Sequence, residues 1–562
     1  HSLVFEDVLV GEVWFASGQS NMQRRLKQIG AQEVIAAADN PNIRFFQAKP
    51  TARPVPQADV PGEWSVSTPA TAADYSAVGY FFAQKLQREL DVPVAIVQAA
   101  WGGKPVEAFT RREALLSIPA GKKMMQKQDA AVADYDIEEA RKDYVEALKQ
   151  HKAKLATWEA RPADERGRRP REPRMAQNPG HNPGRPATIW NGMIHPLAGY
   201  TMRGAIWYQG ESNRRNPDPY GALFAAMIQD WRAQWDDDFR FLWVQLANFM
   251  EPVQQPGTND GWAVVQEHQR RTLALPKTGM AVINDIGEAK NIHPRNKKDV
   301  GERLARWALA DEYGGDVIKS GPLYRSHEIS GKTVTVSFDH VGQGLKSRDG
   351  GPLQRFEIQD ADGAWYWADA EIQGDAVVIS HPEVTQPQAV RYAWAANPEG
   401  ANLINSAGLP ASLFTTAWKN QVSIPVEGKD LVTYQAGPLV DPVGGEAFRG
   451  SNFIHPLNTP AGFTVTDSQP GDHLHHFGLW WPWKYIEFDG RKILCWELQQ
   501  GDGIVETIAT EPTVNGLVTV SVYLDRKAPG GPQVRLHEST EISVSDITDA
   551  PAHGYSLDLK IS

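Results

Sequence analysis

Gly11-Glu-Val-Trp-Phe-Ala-Ser-Gly-Gln-Ser-Asn-Met22 is the stretch that decides the fold of this 562-residue chain. Residues 13–16 form an uninterrupted apolar and aromatic run, which is typical of a strand buried on both faces of a parallel sheet. The run stops at Ser17-Gly18, and residues 21–26 can begin a helix. Ser20 is therefore predicted at a strand-to-helix junction outside the carboxyl end of the sheet, where open α/β folds place their sites.

Ser20 has two interpretations at this junction. A helix N-terminus offers backbone amides to a developing negative charge, which suits a catalytic nucleophile. Serine is also a preferred helix N-cap, and this stretch alone fits that structural role equally well. The companions of Ser20 elsewhere in the chain decide between the two.

Composition and charge narrow the function classes. The chain has 57 basic and 68 acidic residues and a formal net charge of -11. Its one sustained basic segment is an Arg-rich loop at residues 161–174, so a nucleic-acid partner is not expected. The 19 tryptophans fit a carbohydrate-active protein, because aromatic rings stack on sugars, although each ring can equally fill a core.

Cysteine usage and hydropathy bear on the location of the protein. Cys495 is the single cysteine, which excludes an internal disulfide, and its apolar neighbours predict a buried thiol. No run of 18 or more apolar residues occurs, so we expect a soluble protein without a membrane partner. Residues 1–5 lack the charged-then-apolar pattern of a signal peptide. We expect a mature or trimmed chain that acts in the periplasm or outside the cell.

Strand and helix patterns alternate over the first three hundred residues. This alternation predicts a doubly wound α/β domain over residues 1–316. Residues 111–158 are instead helical and highly charged, and the Arg-rich loop follows them. They predict an inserted helical hairpin at about residues 111–175 with a solvated face.

Polar turns follow four of the predicted strands. Ser20, the pair Gly102 and Gly103, Gln209 and His293 each come just after a strand. The carboxyl ends of parallel strands share one edge of a sheet, so these residues are expected to converge on one crevice. The glycine pair would let backbone amides approach a ligand closely, although an ordinary βα turn has the same composition.

This constellation suits ester hydrolysis. A serine hydroxyl needs a base within hydrogen-bond reach, and histidine, with an ordinary pKa of ~6.5, is the usual one. His293 is the candidate base, and the alternative is a hydrogen-bonded loop histidine. The amide of Ser20, a glycine amide and the Gln209 side chain could bind the oxyanion, each worth roughly 10²–10³ in rate.

Five sequence blocks resemble the sialate O-acetylesterase group of the SGNH (GDSL-like) hydrolases. They cover roughly residues 5–315, in family order: Gly18-Gln-Ser-Asn-Met22, Trp101-Gly-Gly-Lys-Pro-Val-Glu-Ala108, Trp190-Asn-Gly-Met-Ile-His-Pro-Leu197, Trp207-Tyr-Gln-Gly-Glu-Ser-Asn213 and Ile292-His-Pro-Arg-Asn-Lys297. The resemblance implies a three-layer α/β/α, flavodoxin-like fold, no metal or other cofactor, and removal of O-acetyl groups from carbohydrates. It also assigns roles: Ser20 is the nucleophile, His293 the base, and Gly102 or Gly103 together with Gln209 the oxyanion donors.

One position departs from this family's pattern. SGNH hydrolases usually carry Asp three residues before the histidine, and Lys290 occupies that position here. Glu288 is our preferred candidate for orienting His293, and Asp285 lies on the same turn. Alternatively, the site runs as a Ser-His dyad in which a backbone carbonyl orients the ring. Two further polar residues, Glu211 and Asn213, are expected to support the Ser20 turn.

Two β-rich units follow the α/β region. Short alternating strands over residues 317–420 predict a β-sandwich, which resembles the β-domain that follows the catalytic core in these esterases. It could shape the cleft or bind glycan. Residues 421–562 resemble the first part of a PmoA-like domain of unknown function, and a partial domain is expected.

A histidine cluster in the last unit has two interpretations. His473 and His475 alternate onto one strand face, and with His455 or Asp472 they could ligate a metal ion. The alternative is a carbohydrate pocket walled by tryptophans, or a loop cluster with satisfied hydrogen bonds. The tryptophans concerned are Trp480, Trp481 and Trp483.

Two functions from different classes are compatible with the whole chain. The first is a serine carbohydrate O-acetylesterase that acts on an acetylated oligo- or polysaccharide through an acyl-enzyme. The second is a non-catalytic glycan-binding protein with a degenerate esterase core, suggested by Lys290 and the two β-rich units. Sialic acid, xylan, xyloglucan and pectin are all compatible with an open crevice.

Overall fold

The computed structural model describes residues 6–162, 164–418, 421–426, 428–441, 445–513, 515–529, 532–546 and 555–561. The opening residues 1–5 lie outside the described part. A seven-stranded sheet organises the first half, in the order β3-β2-β4-β1-β5-β6-β7. All neighbours pair in parallel except β3, which is antiparallel to β2. The strands are β1 (Glu12–Gly18), β2 (Asn40–Ala48), β3 (Gly62–Ser67), β4 (Val94–Ala100), β5 (Gly204–Tyr208), β6 (Arg240–Val244) and β7 (Thr278–Ala281).

Helices cover both faces of this sheet. Successive side chains of a strand point to opposite faces. The Trp14 ring accordingly lies 5.0 Å from Phe82 on one face, and the Phe15 ring lies 5.6 Å from Trp231 on the other. The three-layer α/β/α prediction is confirmed. The helices are α1 (Ser20–Gln23), α2 (Gln32–Ala36), α3 (Pro69–Ala72), α4 (Ala77–Leu90), α5 (Arg112–Leu116), α6 (Pro119–Ala133), α7 (Ile137–Glu159), α8 (Tyr220–Trp235), α9 (Gly261–Arg271) and α10 (Lys298–Asp311).

The insertion between β4 and β5 contains three helices, α5, α6 and α7. Of the 23 residues of α7, only Ala140 is buried. Its charged residues therefore face solvent, as their pattern predicts. Within the described part of the chain, no helix is long and apolar enough to cross a lipid bilayer.

Two antiparallel four-stranded sheets follow the α/β region, in the orders β13-β14-β9-β8 and β12-β11-β15-β17. Their apolar faces share a core that includes Val336, Phe356 and Phe414, as in a β-sandwich. Ala263 of α9 belongs to the same core. The strands are β8 (Leu323–Ser330), β9 (Thr333–Asp339), β10 (Leu345–Ser347), β11 (Phe356–Gln359), β12 (Trp365–Trp367), β13 (Asp369–Gln373), β14 (Ala376–Ser380), β15 (Ala389–Tyr392), β16 (Leu403–Asn405) and β17 (Phe414–Thr415).

The C-terminal region is also antiparallel, with sheets β18-β19-β22-β23 and β26-β27-β28-β29 and two smaller ribbons. Cys495 is buried, as predicted, and burial raises the pKa of its thiol to about 12. The strands are β18 (Gln421–Val426), β19 (Lys429–Gln435), β20 (Leu439–Asp441), β21 (Gly445–Gly450), β22 (Phe453–Leu457), β23 (Leu479–Trp480), β24 (Tyr485–Phe488), β25 (Arg491–Leu494), β26 (Gly503–Thr513), β27 (Gly516–Asp525), β28 (Gln533–Asp546) and β29 (Tyr555–Ile561).

Candidate active site

The Ser20 turn lies between the carboxyl ends of β4 and β5. Gly18 has φ +127°, and a Cβ there would lie 2.3 Å from the carbonyl oxygen of Tyr208, so only glycine fits. The Gln19 amide donates to that same carbonyl at 2.9 Å, and the Trp101 amide donates to the Gly18 carbonyl at 3.0 Å. These bonds fix Ser20, half-buried, as the first residue of α1.

The helix that begins at Ser20 is shorter than the sequence suggests. It ends at Gln23, because Arg24 has ψ 124° and leaves the helical region. The amide of Arg25 then donates to the side chain of Gln28, which starts a separate 3-10 turn. The short α1 leaves Ser20 on a tight turn close to the sheet.

The predicted glycine pair adjoins Ser20. A Cβ on Gly102 would lie 3.2 Å from the Cβ of Ser20, so the two backbones are close. The Gly102 amide donates to the Gln23 side chain at 2.9 Å. Gly103 is exposed with φ +70°. Neither its amide nor that of Ser20 donates to another described residue. These two amides are therefore available to an oxyanion.

Gln209 lies beside the glycine turn but is fully buried. Its side-chain nitrogen donates to the Lys104 carbonyl at 3.2 Å and to Asn213 Oδ1 at 2.7 Å. Both N–H groups of the predicted oxyanion donor thus already have acceptors. Asn213 also accepts from the Val106 amide at 3.1 Å and donates to Glu107 at 3.0 Å, so it joins the end of β5 to the loop after β4.

His293 is half-buried on the loop that precedes α10. Its ring makes no hydrogen bond to any residue in the described ranges, whereas its backbone is held at both ends by Asn291. The Asn291 side chain accepts from the His293 amide at 3.1 Å and donates to the His293 carbonyl at 2.8 Å. Burial lowers the pKa of His293, and the cations Arg24 and Lys297 lower it further.

The carboxylates predicted to orient His293 do not contact its ring. Glu288 accepts from the Arg295 amide at 2.6 Å and from Asn291 Nδ2 at 3.0 Å, and these bonds lower the pKa of Glu288. Asp285 forms ion pairs with Arg303 at 2.6 Å and Arg348 at 3.0 Å. Because each carboxylate is engaged elsewhere, Glu288 shapes the His293 loop and Asp285 joins structural elements.

A buried polar network lies beneath Ser20, and the sequence predicts only the supporting role of Glu211 in it. Asn21 Nδ2 donates to Glu211 at 2.6 Å and to the Ile292 carbonyl at 3.0 Å. The Lys297 ammonium donates to Asn21 Oδ1 at 2.8 Å and to the Pro294 carbonyl at 2.6 Å. Burial raises the pKa of Glu211 and lowers the pKa of Lys297 to about 7.

A sequence signal for Lys297 does exist. It precedes the buried face of α10 at helical spacing, in line with Gly301, Leu304 and Ala308. A lysine on an apolar stripe, four residues after the candidate base, is a candidate for a buried role.

The histidines of the C-terminal region do not form the metal site that was one of the two interpretations of this cluster. His455 Nδ1 lies 3.0 Å from Thr466 Oγ1, and His473 Nδ1 lies 3.1 Å from Asp472. The rings of His475 and His476 pack against each other at 4.5 Å. Among the described residues, no three His, Cys, Asp or Glu side chains are placed to share one ion.

Two protein families match different parts of the chain. Residues 10–141 and 188–310 match the family described as carbohydrate esterase, sialic acid-specific acetylesterase. Residues 421–562 match a family of unknown function, DUF6807. The gap in the first match contains most of α7 and the Arg-rich loop.

Individual relatives point the same way. The sialate O-acetylesterase of Rattus norvegicus is 28% identical over 452 residues, which are 74% of this chain and 79% of the rat protein. The sialate O-acetylesterase of Mus musculus is 28% identical over 433 residues, which are 71% of this chain and 75% of the mouse protein. A crystal structure of a carbohydrate acetylesterase from Xanthomonas citri superposes with a TM-score of 0.60 at 36% identity, covering 73% of this chain and 82% of that one. The chain therefore belongs to the sialic acid-specific acetylesterase family of carbohydrate esterases, with a DUF6807 domain at its C-terminal end.

Proposed function

We propose that this chain is a serine O-acetylesterase that removes acetyl groups from a carbohydrate. The observation that carries the proposal is the placement of Ser20. It starts a helix next to Gly102, the next residue Gly103 has an amide without an acceptor among the described residues, and Asn21 is bonded to the loop of His293. The N-cap interpretation of Ser20 is weaker, because its side chain makes no capping hydrogen bond; it is Gln19 that occupies the cap position.

The proposed reaction has two steps. Ser20 Oγ attacks the acetyl carbonyl carbon while the His293 imidazole takes the hydroxyl proton. The imidazolium then protonates the departing sugar oxygen, which leaves an acetyl-serine. In the second step, His293 takes a proton from water as the water attacks the acetyl-serine. Acetate leaves, and the proton returns to Ser20.

The amides of Ser20 and Gly103 are the proposed oxyanion donors. Both are unengaged in the described structure, and removal of one such donor typically costs about 10²–10³ in rate. The N–H groups of Gly102 and Gln209 already have protein acceptors. These two residues are therefore proposed to hold the oxyanion hole in shape without binding the oxyanion. Glu211 and Asn213 are proposed to hold the strand-end turns in place.

Replacement of the nucleophile tests the proposal. Ser20→Ala should abolish release of 4-nitrophenol from 4-nitrophenyl acetate while the circular dichroism spectrum stays unchanged. Ser117→Ala, at an exposed serine of the insertion, is the matched control and should keep full activity. A folded Ser20→Ala variant with wild-type turnover would refute the assignment.

An acetylated oligo- or polysaccharide is the proposed substrate, by likeness to relatives named as sialate O-acetylesterases and a carbohydrate acetylesterase. Since long glycans do not enter the cytoplasm, we propose that the protein acts in the periplasm or outside the cell. Acetate release should be measured over acetylated sialosides, xylan, xyloglucan and pectin. Binding of a glycan without any acetate release would favour the rival, a glycan-binding protein with a degenerate esterase core.

We also propose three structural units, at residues 1–316, 317–420 and 421–562. The grouping of the strands supports this division, since hydrogen-bonded sheets do not cross these bounds in the described residues. The likeness of the last unit to PmoA-like domains stays a prediction.

A further inference from the structure

We propose that Lys297 is a positioning residue for His293, which acts with Asn21 and Glu211 to fix the histidine loop against the helix that begins at Ser20. The inference rests on the proposed roles of Ser20 and His293, and it concerns what holds the two in register.

The contacts of this network fall on both sides of the histidine. Lys297 Nζ donates to the carbonyl of Pro294, the residue after His293. Asn21 Nδ2 donates to the carbonyl of Ile292, the residue before it. Because Asn21 directly follows Ser20, these two hydrogen bonds set the distance between the nucleophile and the backbone of the base.

The Asn21 side chain is held in a single orientation. Its oxygen accepts from the Lys297 ammonium, which has no acceptor lone pair, and its nitrogen donates to Glu211 Oε1. Glu211 in turn belongs to the 3-10 turn that follows β5. The network therefore anchors the histidine loop to a strand of the central sheet as well as to α1.

Burial makes the presence of a lysine here informative. Lys297 is 0% exposed and Asn21 is 1% exposed, while Glu211 is 6% exposed. Buried charges add little net stability compared with apolar residues, and conformational specificity is the hypothesis for their retention. The ring of Tyr208 lies 5.5 Å from the ammonium and adds a cation–π contact.

His293 has a need for such positioning. Its ring receives no hydrogen bond from the part of the chain that the structure describes, and Glu288 is bonded to the loop backbone instead. Lys290, at the position of the usual aspartate, is exposed. The direction of the imidazole is consequently set through its backbone, which Asn291 and the Lys297 network hold.

The charge of Lys297 has a second, measurable effect, on the pKa of His293. The charged groups that act on it are Glu211, Arg24 and Glu288, and those that act on His293 are Arg24 and Lys297 itself. A neutral amine keeps two N–H donors, so both hydrogen bonds survive deprotonation. Removal of the side chain instead removes a nearby cation, which raises the pKa of His293.

Lys297→Met tests the inference, because methionine has a similar length and no donor. We expect kcat with 4-nitrophenyl acetate to fall on the order of 10²-fold with KM unchanged, since small misplacements of a catalytic group have such effects. The acid limb of the pH–rate profile should move to higher pH. Lys297→Gln, which keeps two N–H donors, should recover part of kcat. Lys298→Met, at the exposed neighbour, is the control and should behave as wild type.

A double variant distinguishes an effect of Lys297 that acts through His293 from a general disturbance of the structure. Lys297→Met should cost nothing further in a His293→Ala background, because a residue that acts through His293 has no effect once the imidazole is gone. An equal loss in both backgrounds would overturn the inference, as would a folded Lys297→Met enzyme with wild-type kcat and pH profile. If Lys297→Met does not fold, Asn21→Ser replaces it in the same tests, with the same kcat loss expected at unchanged KM.

The two proposals fail in different ways. Activity in Ser20→Ala refutes the esterase mechanism. An inactive Ser20→Ala enzyme beside a fully active Lys297→Met enzyme refutes the positioning role alone.

Discussion

His293 is the residue whose protonation state governs the proposed reaction. It acts as a base only when neutral, so the rate falls as the pH drops through its pKa. Burial and the cations Arg24 and Lys297 hold that pKa below the ordinary value of 6.5. We therefore expect the acid limb of kcat/KM to have a midpoint below pH 6.5. Arg24→Met should move the midpoint upward, and a midpoint above 6.5 in the wild-type enzyme would contradict this account.

Gly103 is the second residue at which the chemistry can be tested. At φ +70° a side chain is strained, and the strain turns the amide away from the oxyanion. Gly103→Ala should lower kcat by about 10-fold to 10²-fold, less than the roughly 10²–10³ for complete loss of an oxyanion donor, with little change in KM. Gly30→Ala is a matched control, since Gly30 has φ +78° and is also exposed with open space around it. Equal kcat values for the two variants would argue against Gly103 as a donor.

At this scale the sequence predicted Ser20, the glycine pair and Gln209 directly after strands, whereas His293 lies on a loop well beyond the end of β7 at Ala281. The backbone of Ser20 lies next to that of Gly102, and Asn21 is bonded to the His293 loop, because parallel strands end at one edge. Gln209 and Glu288 are bonded to neighbours on their own loops, at Asn213 and Arg295, and these bonds depend on side-chain directions that no pattern encodes. The buried position of Lys297 is not expected from its residue type, because a lysine is almost always a surface residue.

Asp285 links three elements of the molecule. It follows β7, and its carboxylate, 7% exposed, pairs with Arg303 of α10 and with Arg348 in the β-sandwich. Asp285→Asn leaves both guanidinium groups without their counter-charge, which should lower the free energy of unfolding by about 3 kcal/mol. Turnover per folded molecule should be kept, as the carboxylate does not touch His293. Urea unfolding and kcat measure the two effects.

Asp339 provides the control for this prediction. Its pair with Arg325 is exposed on both sides, so Asp339→Asn should cost less than about 1 kcal/mol. A large kcat loss in a stable Asp285→Asn variant would instead identify Asp285 as an orienting acid.

Helices and strands with strong apolar periodicity were the most predictable elements. Apolar residues at helical spacing predict a helix over residues 78–90, where α4 is one residue longer, and the sequence pattern over residues 220–235 predicts α8. In contrast, the helix expected over residues 21–26 is only four residues long. The difference arises from Arg24, whose extended backbone is imposed by tertiary contacts such as that of the Ala77 amide with the Arg24 carbonyl.

At the scale of the whole molecule, the order of the units was predictable but not their packing. The largest apolar cluster is centred on the seven-stranded sheet, yet it includes Ile504 and Leu524 of the C-terminal region. Val505, the neighbour of Ile504 on β26, belongs to a separate core within that region. Adjacent residues of β26 thus pack into two different cores. The alternation of side chains along a strand predicts this arrangement only when the surfaces that cover both faces of the strand are known.

This shared core makes the C-terminal region a stabilising part of the esterase. Removal of residues 419–562 exposes the apolar surface that Ile504 and Leu524 cover, and it removes the bond from the Ala120 amide to Glu511. We expect the truncated chain to unfold at a lower temperature than the full chain and to self-associate through the exposed apolar surface. Its kcat per folded molecule should be retained. Scanning calorimetry and gel filtration measure these changes.

A single substitution tests the same contact without truncation. Ile504→Asp places an unpaired charge at a position that is 6% exposed and should cost on the order of 3 kcal/mol. Ile561→Asp, at a position that is 46% exposed at the edge of the same sheet, should have almost no effect. Equal melting temperatures for the full chain, the truncated chain and Ile504→Asp would show that the two regions fold independently. The DUF6807 domain would then have to contribute by some means other than stability.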